Sequence, residues 1–556
     1  MYTAEGLAHN NTMKGESFLK VYVKGRSNLN LRQWLGVLGV LCLSVMSRAA
    51  ETNTWNGGEG ATWDTTSNNW TGVGISATPW NGVATDNWAI FDSADATPSV
   101  NGSVYVNRIV FSNTATIGGS GSITLNGASH VVTTYSNATI NAPISKGSGI
   151  FTKNGTRMLT LSNATIISGE SSVAGGTLNM AGGVFSLAGR FRIGGSSLST
   201  FKLTGGAVTT GVDTSYTMLV GYKNAAKGQV TQEGGHFDAY YANKPSFISG
   251  GSSATEADPS TVGAYEISGG VFLTRTLTVG ASGIGTLTQT GGAITNTTLY
   301  IGRYSASLSD GTGTVSIVGS SVSTLYAGTA MQLGRYGVGT MTISNSAAVV
   351  AINGAATLGT ISPADGTLNL YAGTLRLTSL VKGTGTHTFN FSGGTLAPYN
   401  ANATIGSATA ANNTTITLTG TNATISSSDH TGAGRRVDIY SKLTGSGSIT
   451  FTGNGTNIVI AADNDYSGNT KVNGGTVVWS NACLSANADL ICTNSPKLIL
   501  AFTGTNTIRK LLVNDFTEKP GIYNSANAPA GMTIQDTGAL LVTETEPQKG
   551  AILIVE

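Results

Sequence analysis

Hydrophobic and polar residues alternate in short runs along most of the chain, and glycines separate the runs. In residues 285–302, GTLTQTGGAITNTTLYIG, this alternation predicts three short strands at 286–288, 293–295 and 298–301. The pair Gly291-Gly292 predicts a corner between the first two strands, and Gly302 closes the unit. We therefore interpret residues 285–302 as one structural repeat.

Variants of this unit recur at residues 182–194, 205–221 and 269–280. Three short strands in a period of roughly 22–35 residues are typical of a solenoid, in which each coil buries its apolar side chains only by stacking on its neighbours. The pattern predicts an all-β parallel β-helix, with apolar residues inside and Thr and Ser in water. We expect this tract to run over residues 115–456.

Composition narrows the class of protein. Charged residues make up 10% of the chain and the net charge is +2, which argues against a nucleic-acid partner. With 40% hydrophobic residues, 76 Gly and only 11 Pro, the composition does not fit intrinsic disorder.

The first 49 residues follow a different pattern. Basic residues precede an apolar run at 34–46, and Ser47 and Ala49 then stand where a signal peptidase cleaves. We predict a signal peptide at residues 1–49 and export of the rest, with an uncleaved N-terminal anchor as the alternative. No further apolar stretch reaches the length of a membrane span, so no span is expected after signal removal.

Residues 50–114 are rich in tryptophan and contain the first regular strands. Terminal repeats of solenoids are atypical and need capping, so we favour a cap that covers the first coil. The alternative is a platform on which sugars stack. The tryptophans concerned are Trp55, Trp63, Trp70, Trp80 and Trp88.

Two cysteines remain after signal removal, Cys483 and Cys492. An oxidising compartment would permit a disulfide between them, and two buried thiols are an equally good interpretation.

Residues 458–481, IVIAADNDYSGNTKVNGGTVVWSN, resemble the autotransporter-associated β-strand repeat, and we assign residues 457–556 to this repeat and the closing coils. The resemblance implies a right-handed parallel β-helix of the kind found in secreted passenger domains, which often act as adhesins. A C-terminal translocator barrel, which autotransporters carry, is not visible in the sequence. The matching residues include Asn464, Tyr466, Gly468, Thr470, Gly475 and Thr476.

Candidate catalytic chemistry is sparse. Glycoside hydrolysis needs two neighbouring carboxylates, and the acidic residues of the tract are scattered in the sequence. The densest ionisable group is Asp429-His430 with Arg435, Arg436 and Asp438, which we interpret as a solvated loop because no third group orients it. The scattered acidic residues are Asp213, Glu233, Asp238, Glu266, Asp310 and Asp365.

The sequence thus predicts an exported bacterial β-helix protein at the cell surface, associated with the outer membrane, or outside the cell. We expect an adhesin, a passenger-like rod or a matrix component, without catalytic, cofactor or metal sites, whose partners are extracellular glycans or other surface proteins. A polysaccharide-binding or polysaccharide-degrading β-helix is the alternative.

Overall fold

The computed structural model describes residues 51–72, 80, 87–126, 129–146, 150–211, 216–222, 224–241, 244–251, 258–302, 304–305, 311–409, 411, 413–461 and 463–544. The predicted signal peptide lies outside these residues. The described chain forms 57 β-strands, nearly all of which pair in parallel with strands of the coils before and after. The predicted parallel β-helix is confirmed. Among the described residues, no helix has the length and apolar character needed to cross a bilayer.

Most coils contribute strands to three faces, which we call faces 1, 2 and 3 in the order in which the chain visits them. Most strands of faces 2 and 3 belong to one 35-stranded sheet. Face 1 is a fourteen-stranded parallel sheet. At about 4.8 Å per strand it extends for roughly 60 Å. Its strands are Ala115–Ile117, Ala138–Ile140, Met158–Leu161, Gly176–Met180, Ser199–Leu203, Lys227–Gln232, Val262–Ile267, Ile284–Gln289, Thr312–Ile317, Val338–Ile343, Asp365–Leu370, Thr386–Phe391, Thr415–Leu418 and Lys442–Gly445.

Face 2 follows face 1 along the chain, and its first three strands form a sheet of their own. The strands of face 2 are Ser103–Val106, Ser122–Leu125, Ile144–Lys146, Ala164–Ser168, Gly183–Leu187, Ala207–Thr210, His236–Ala239, Val271–Thr274, the first parts of Gly292–Ile301 and Ser323–Leu333, Ala348–Ile352, Thr374–Leu377, Thr395–Pro398, Ala423–Ser426, Ile449–Thr452, Thr470–Asn473, Leu490–Thr493 and Leu511–Val513.

Face 3 completes each coil. Its strands are Glu51–Trp55, Asn87–Phe91, Arg108–Phe111, Ser129–Thr134, Ile150–Asn154, Glu170–Val173, Phe191–Ile193, Met218–Val220, Pro245–Ile248, Thr276–Val279, the second parts of Gly292–Ile301 and Ser323–Leu333, Ala355–Leu358, Ser379–Lys382, Ala403–Ile405, Arg436–Ile439, Thr456–Val459, Thr476–Trp479, Lys497–Leu500 and Thr533–Gln535.

Antiparallel strands cover sheet edges at both ends of the coil stack. At the start, Trp70–Gly72 pairs antiparallel with Glu51–Trp55. At the end, Phe516–Thr517 covers the last strand of face 2, and Gly521–Tyr523 pairs with Ala539–Val542. Unpaired edges invite association with other strands, so these short strands limit end-to-end pairing. The remaining short strands are Thr62–Trp63, Ser99–Val100 and Thr505–Ile508.

The repeat predicted at residues 285–302 is one coil of this structure. Its strands are Ile284–Gln289 on face 1 and Gly292–Ile301, which spans faces 2 and 3 with a register shift between Asn296 and Thr298. Gly292 and Gly302 have φ angles of 70° and 95°, which L side chains rarely adopt.

Inside each coil the alternate residues of the strands form columns of apolar side chains. One such column runs along face 1 and is fully buried, and it contains Leu287, Val315, Met341, Leu368, Phe389, Ile416 and Leu443. One continuous hydrophobic core extends from Trp55 to Val542, and a small second cluster contains Tyr216, Leu219, Phe247 and Ala281. Strand pairing also continues across residue 456, where we placed a domain boundary, since Thr456–Val459 pairs with both neighbouring coils.

Candidate functional sites

The tryptophan-rich segment closes the first coil. The rings of Trp55, Trp63, Trp70 and Trp80 are at most 2% exposed and pack against one another at centroid distances of 4.7–5.4 Å, with Phe91 beneath them. These four rings have no accessible face on which a sugar could stack. Their packing is that of a cap.

Trp88 is the exception, because its side chain is only partly buried on the outside of face 3. The Arg108 guanidinium lies 4.6 Å from its ring centroid, on the neighbouring strand. Such a cation–π contact stabilises the pair and occupies one face of the indole.

The two cysteines are buried free thiols in the structure, with no bond between them. Cys492 points into the core from Leu490–Thr493, whereas Cys483 lies in the turn after Thr476–Trp479. Burial raises the pKa of both thiols, that of Cys492 to about 12. The sequence left open a disulfide or two buried thiols, and the structure contains two buried thiols.

The residues of the repeat motif occupy a coil in which a turn takes the place of the face 1 strand. The Oδ1 atom of Asn464 accepts a hydrogen bond of 2.7 Å from the Leu443 amide of the preceding coil. Tyr466 is 3% exposed, and its hydroxyl lies 2.7 Å from the Thr470 Oγ1 atom. The asparagine thus continues the hydrogen bonding of the missing strand, while the tyrosine fills the core beneath it.

The glycines and the last threonine of the motif shape its two corners. A Cβ atom at Gly468 would overlap the backbone of Gly447 in the coil before. Gly475 has a φ angle of 69° and leads into Thr476, the first residue of the next face 3 strand. The motif is therefore accounted for by packing and backbone geometry.

The cluster around Asp429 is an ordered loop on the outside of the coils. The Asp429 carboxylate accepts hydrogen bonds from the backbone and hydroxyl of Thr431, from the Ala433 amide and from Arg435 Nε at 2.6–3.0 Å, and its side chain is fully buried. These bonds, the Thr431 hydroxyl first, hold the pKa of Asp429 well below its usual range. A carboxylate with all its acceptors engaged is a structural group and a poor general base. The predicted loop is thus one whose central carboxylate is buried and hydrogen-bonded within the loop.

His430 extends this loop to the surface. Its ring stacks on Tyr399 at a centroid distance of 4.8 Å, and Nδ1 lies 2.6 Å from the Tyr399 carbonyl oxygen. Beneath the loop, Arg376 donates to the carbonyls of Pro398 and Ser428 at 3.3 and 3.2 Å. The neighbouring pair Arg436 and Asp438 forms its own ion pair at 2.8 Å.

Two of the scattered carboxylates line one groove on the outside of face 1. Glu233 and Glu266, from successive coils, line a groove of about 270 Å³ together with Thr231, Ser268 and Thr288. Lys202 Nζ lies 2.8 Å from Glu233, and Gln229 Nε2 donates to Glu266 at 3.1 Å. Sequence reasoning missed this pair because 33 residues separate the two positions and coil length varies. Asp213 and Asp310 lie outside the described residues.

One outer column of face 1 contains polar, uncharged side chains beyond Glu266. Stacking in register places one residue of each coil in a column, which begins after Glu266 with Thr288 and continues as Ser316, Thr342, Asn369, Asn390, Thr417 and Thr444. Amide side chains link some of the members: Asn390 donates to Asn369 at 2.8 Å, and Asn369 donates to Thr342 at 3.1 Å.

Together the fold and these surfaces define a parallel β-helix protein. Comparisons with models of protein families, with curated protein sequences and with solved structures gave no match. The resemblance to the autotransporter-associated repeat therefore stays a prediction.

Proposed function

We propose that this chain is an exported bacterial protein that works at the cell surface or outside the cell as a non-catalytic β-helix rod, of the adhesin or matrix type. The observation that carries the proposal is the outer surface of face 1, where hydroxyl and amide side chains recur coil after coil. A long surface that repeats one chemistry suits a spacer or an extended contact surface, because each added coil adds length without changing the surface.

Two further features support this role. In the densest ionisable cluster, the Asp429 carboxylate is already hydrogen-bonded to Thr431 and Arg435 of the same loop. Residues 1–49 have the composition of a signal peptide. An exported rod needs both a signal peptide and a stably folded scaffold.

An adhesion assay tests the proposal. A non-adherent Gram-negative strain expressing the full chain should gain attachment to host-cell or abiotic surfaces, or retention in the extracellular matrix. A variant lacking residues 1–49 should gain neither, although it is produced. Equal behaviour of the two strains, with the full chain confined to the cytoplasm, would contradict the proposal.

The second candidate is a polysaccharide-binding or polysaccharide-degrading protein, and the groove with Glu233 and Glu266 favours it. Two carboxylates in one concave site are the minimum for acid–base cleavage of a glycosidic bond. Release of reducing ends from polysaccharides by the full chain should disappear in Glu266→Gln. It should persist in Asp365→Asn, a matched change on face 1 outside the groove lining.

A further inference from the structure

The outer surface of face 1 carries a regular array of threonines next to the polar column described above. Residues two positions earlier in the same strands form a second column. It runs from Thr286 through Thr314, Thr340 and Thr367 to Thr388. Five successive coils therefore present a hydroxyl in this column, beside a hydroxyl or amide in the other.

The spacing of this array is fixed by the backbone. Neighbours within a column are about 4.8 Å apart, and the two columns lie roughly 6.6 Å apart along the strand. From Val262 to Phe391 the strands pair residue for residue over six positions, without a register shift. Because β-branched threonine has a restricted χ1 angle, its methyl and hydroxyl groups repeat with the backbone. The result is a two-column array with a threonine hydroxyl in one column and a hydroxyl or amide group in the other.

The two columns of the array contain no charged residue between Thr286 and Thr417, and the nearest carboxylate along these strands is Asp365, two residues before Thr367. Within the two columns, the nearest charged side chains on either side are Glu266 and Lys442, which bracket the array at its two ends. A charged group orients water radially around itself, whereas hydroxyl and methyl groups leave neighbouring waters free to bond to one another. Two neighbouring columns without charge therefore order a layer of water over themselves instead of a hydration shell around ions.

We propose that the face 1 array between Thr286 and Thr417 binds crystalline water, that is, the surface of ice. The ligand must be flat, uncharged and periodic to meet the array at many points at once, and ice repeats its oxygen positions at spacings close to those of the array. A protein partner would be expected to contact aromatic or arginine side chains, and the two columns contain none. A sugar chain would be expected to bind in a concave site, and the two columns do not form one. This inference goes beyond the surface-rod function and does not depend on it.

Ice recrystallisation and thermal hysteresis of the purified full chain test the proposal. The informative variant is Thr314→Lys with Thr340→Lys, which places two charges in the centre of the array. The matched control is Thr357→Lys with Thr374→Lys, which changes outward threonines on faces 3 and 2. Circular dichroism of all three proteins verifies that the coils remain folded.

The proposal expects the wild-type chain and the control to slow ice growth, and the array variant to lose most of this activity while keeping its fold. Absence of any effect of the folded wild-type chain on ice would overturn it. So would equal loss in both variants, or binding to insoluble polysaccharide through the array without an effect on ice, which would make face 1 a glycan surface.

Discussion

Lys153 is a lysine inside the core, and its replacement gives a sharp test of how the coils are stabilised. It points inward from Ile150–Asn154 on face 3 and is fully buried. Its Nζ atom donates to the carbonyl oxygens of Asn154 and Gly175 at 2.8 and 2.9 Å. The ammonium group thus has hydrogen-bond partners but no carboxylate among them.

Burial lowers the pKa of Lys153 from 10.5 to about 8. Since each tenfold change in a protonation equilibrium corresponds to about 1.4 kcal/mol, the charged side chain costs roughly 3 kcal/mol of folding free energy at neutral pH. Because the folded state binds the proton less tightly, this cost is complete below pH 8. It declines between pH 8 and 10.5, and it vanishes above that range.

We therefore expect Lys153→Met to raise the free energy of unfolding near neutral pH, by up to roughly 3 kcal/mol less the lost hydrogen bonds. The gain in stability should shrink as the pH approaches 10.5, the ordinary pKa of a lysine. Guanidinium titrations followed by circular dichroism, at about pH 7 and about pH 10, measure it. Lys227→Met, at an exposed strand position, is the matched control.

A variant that is less stable than wild type at neutral pH would refute this reasoning. It would mean that the hydrogen bonds to the two carbonyls outweigh the cost of burying the charge. A gain that does not change with pH would refute it too, because packing alone would then explain the effect.

Three further predictions concern single side chains. Tyr466→Phe should lower the free energy of unfolding by about 1 kcal/mol, because the hydrogen bond to Thr470 is lost. Tyr466→Ala should lower it by about 3–5 kcal/mol, because it leaves a cavity in the core. Equal free energies of unfolding for the two variants in a denaturant titration would contradict this prediction. Cys483 and Cys492 should resist maleimide labelling until denaturant unfolds the coils, and rapid labelling of the native chain would show that they are accessible. Trp63→Ala should destabilise the first coils by about 3–5 kcal/mol and increase hydrogen exchange there first, and uniform exchange would contradict a local cap.

The repeat at residues 285–302 was predictable because its signals are local. Alternation determines which side of the strand is buried, and two glycines mark the corners. The strands Ile284–Gln289 and Gly292–Ile301 follow the predicted ones to within a few residues. Only the merging of the second and third strands was missed, since a corner without glycine leaves no signal.

The surfaces were harder to predict because they depend on which coil lies next to which. Glu233 and Glu266 line one groove because the strand Lys227–Gln232 pairs with Val262–Ile267, and the sequence does not state this pairing. The threonine array depends in the same way on registers such as Thr314 beside Thr340. The hydrogen bonds of Asp429 with Thr431 and Arg435 could not be predicted from the sequence either, because they depend on the backbone geometry of the loop.

The central claim, a rod presented outside the cell, is tested most directly by protease treatment of intact cells that express the full chain, followed by mass spectrometry of the released peptides. We expect peptides from the coils between Glu51 and Val542 in the released fraction, and a mature N-terminus at Ala50. Release of these peptides only after lysis, from a chain that still begins at its original N-terminus, would contradict the account.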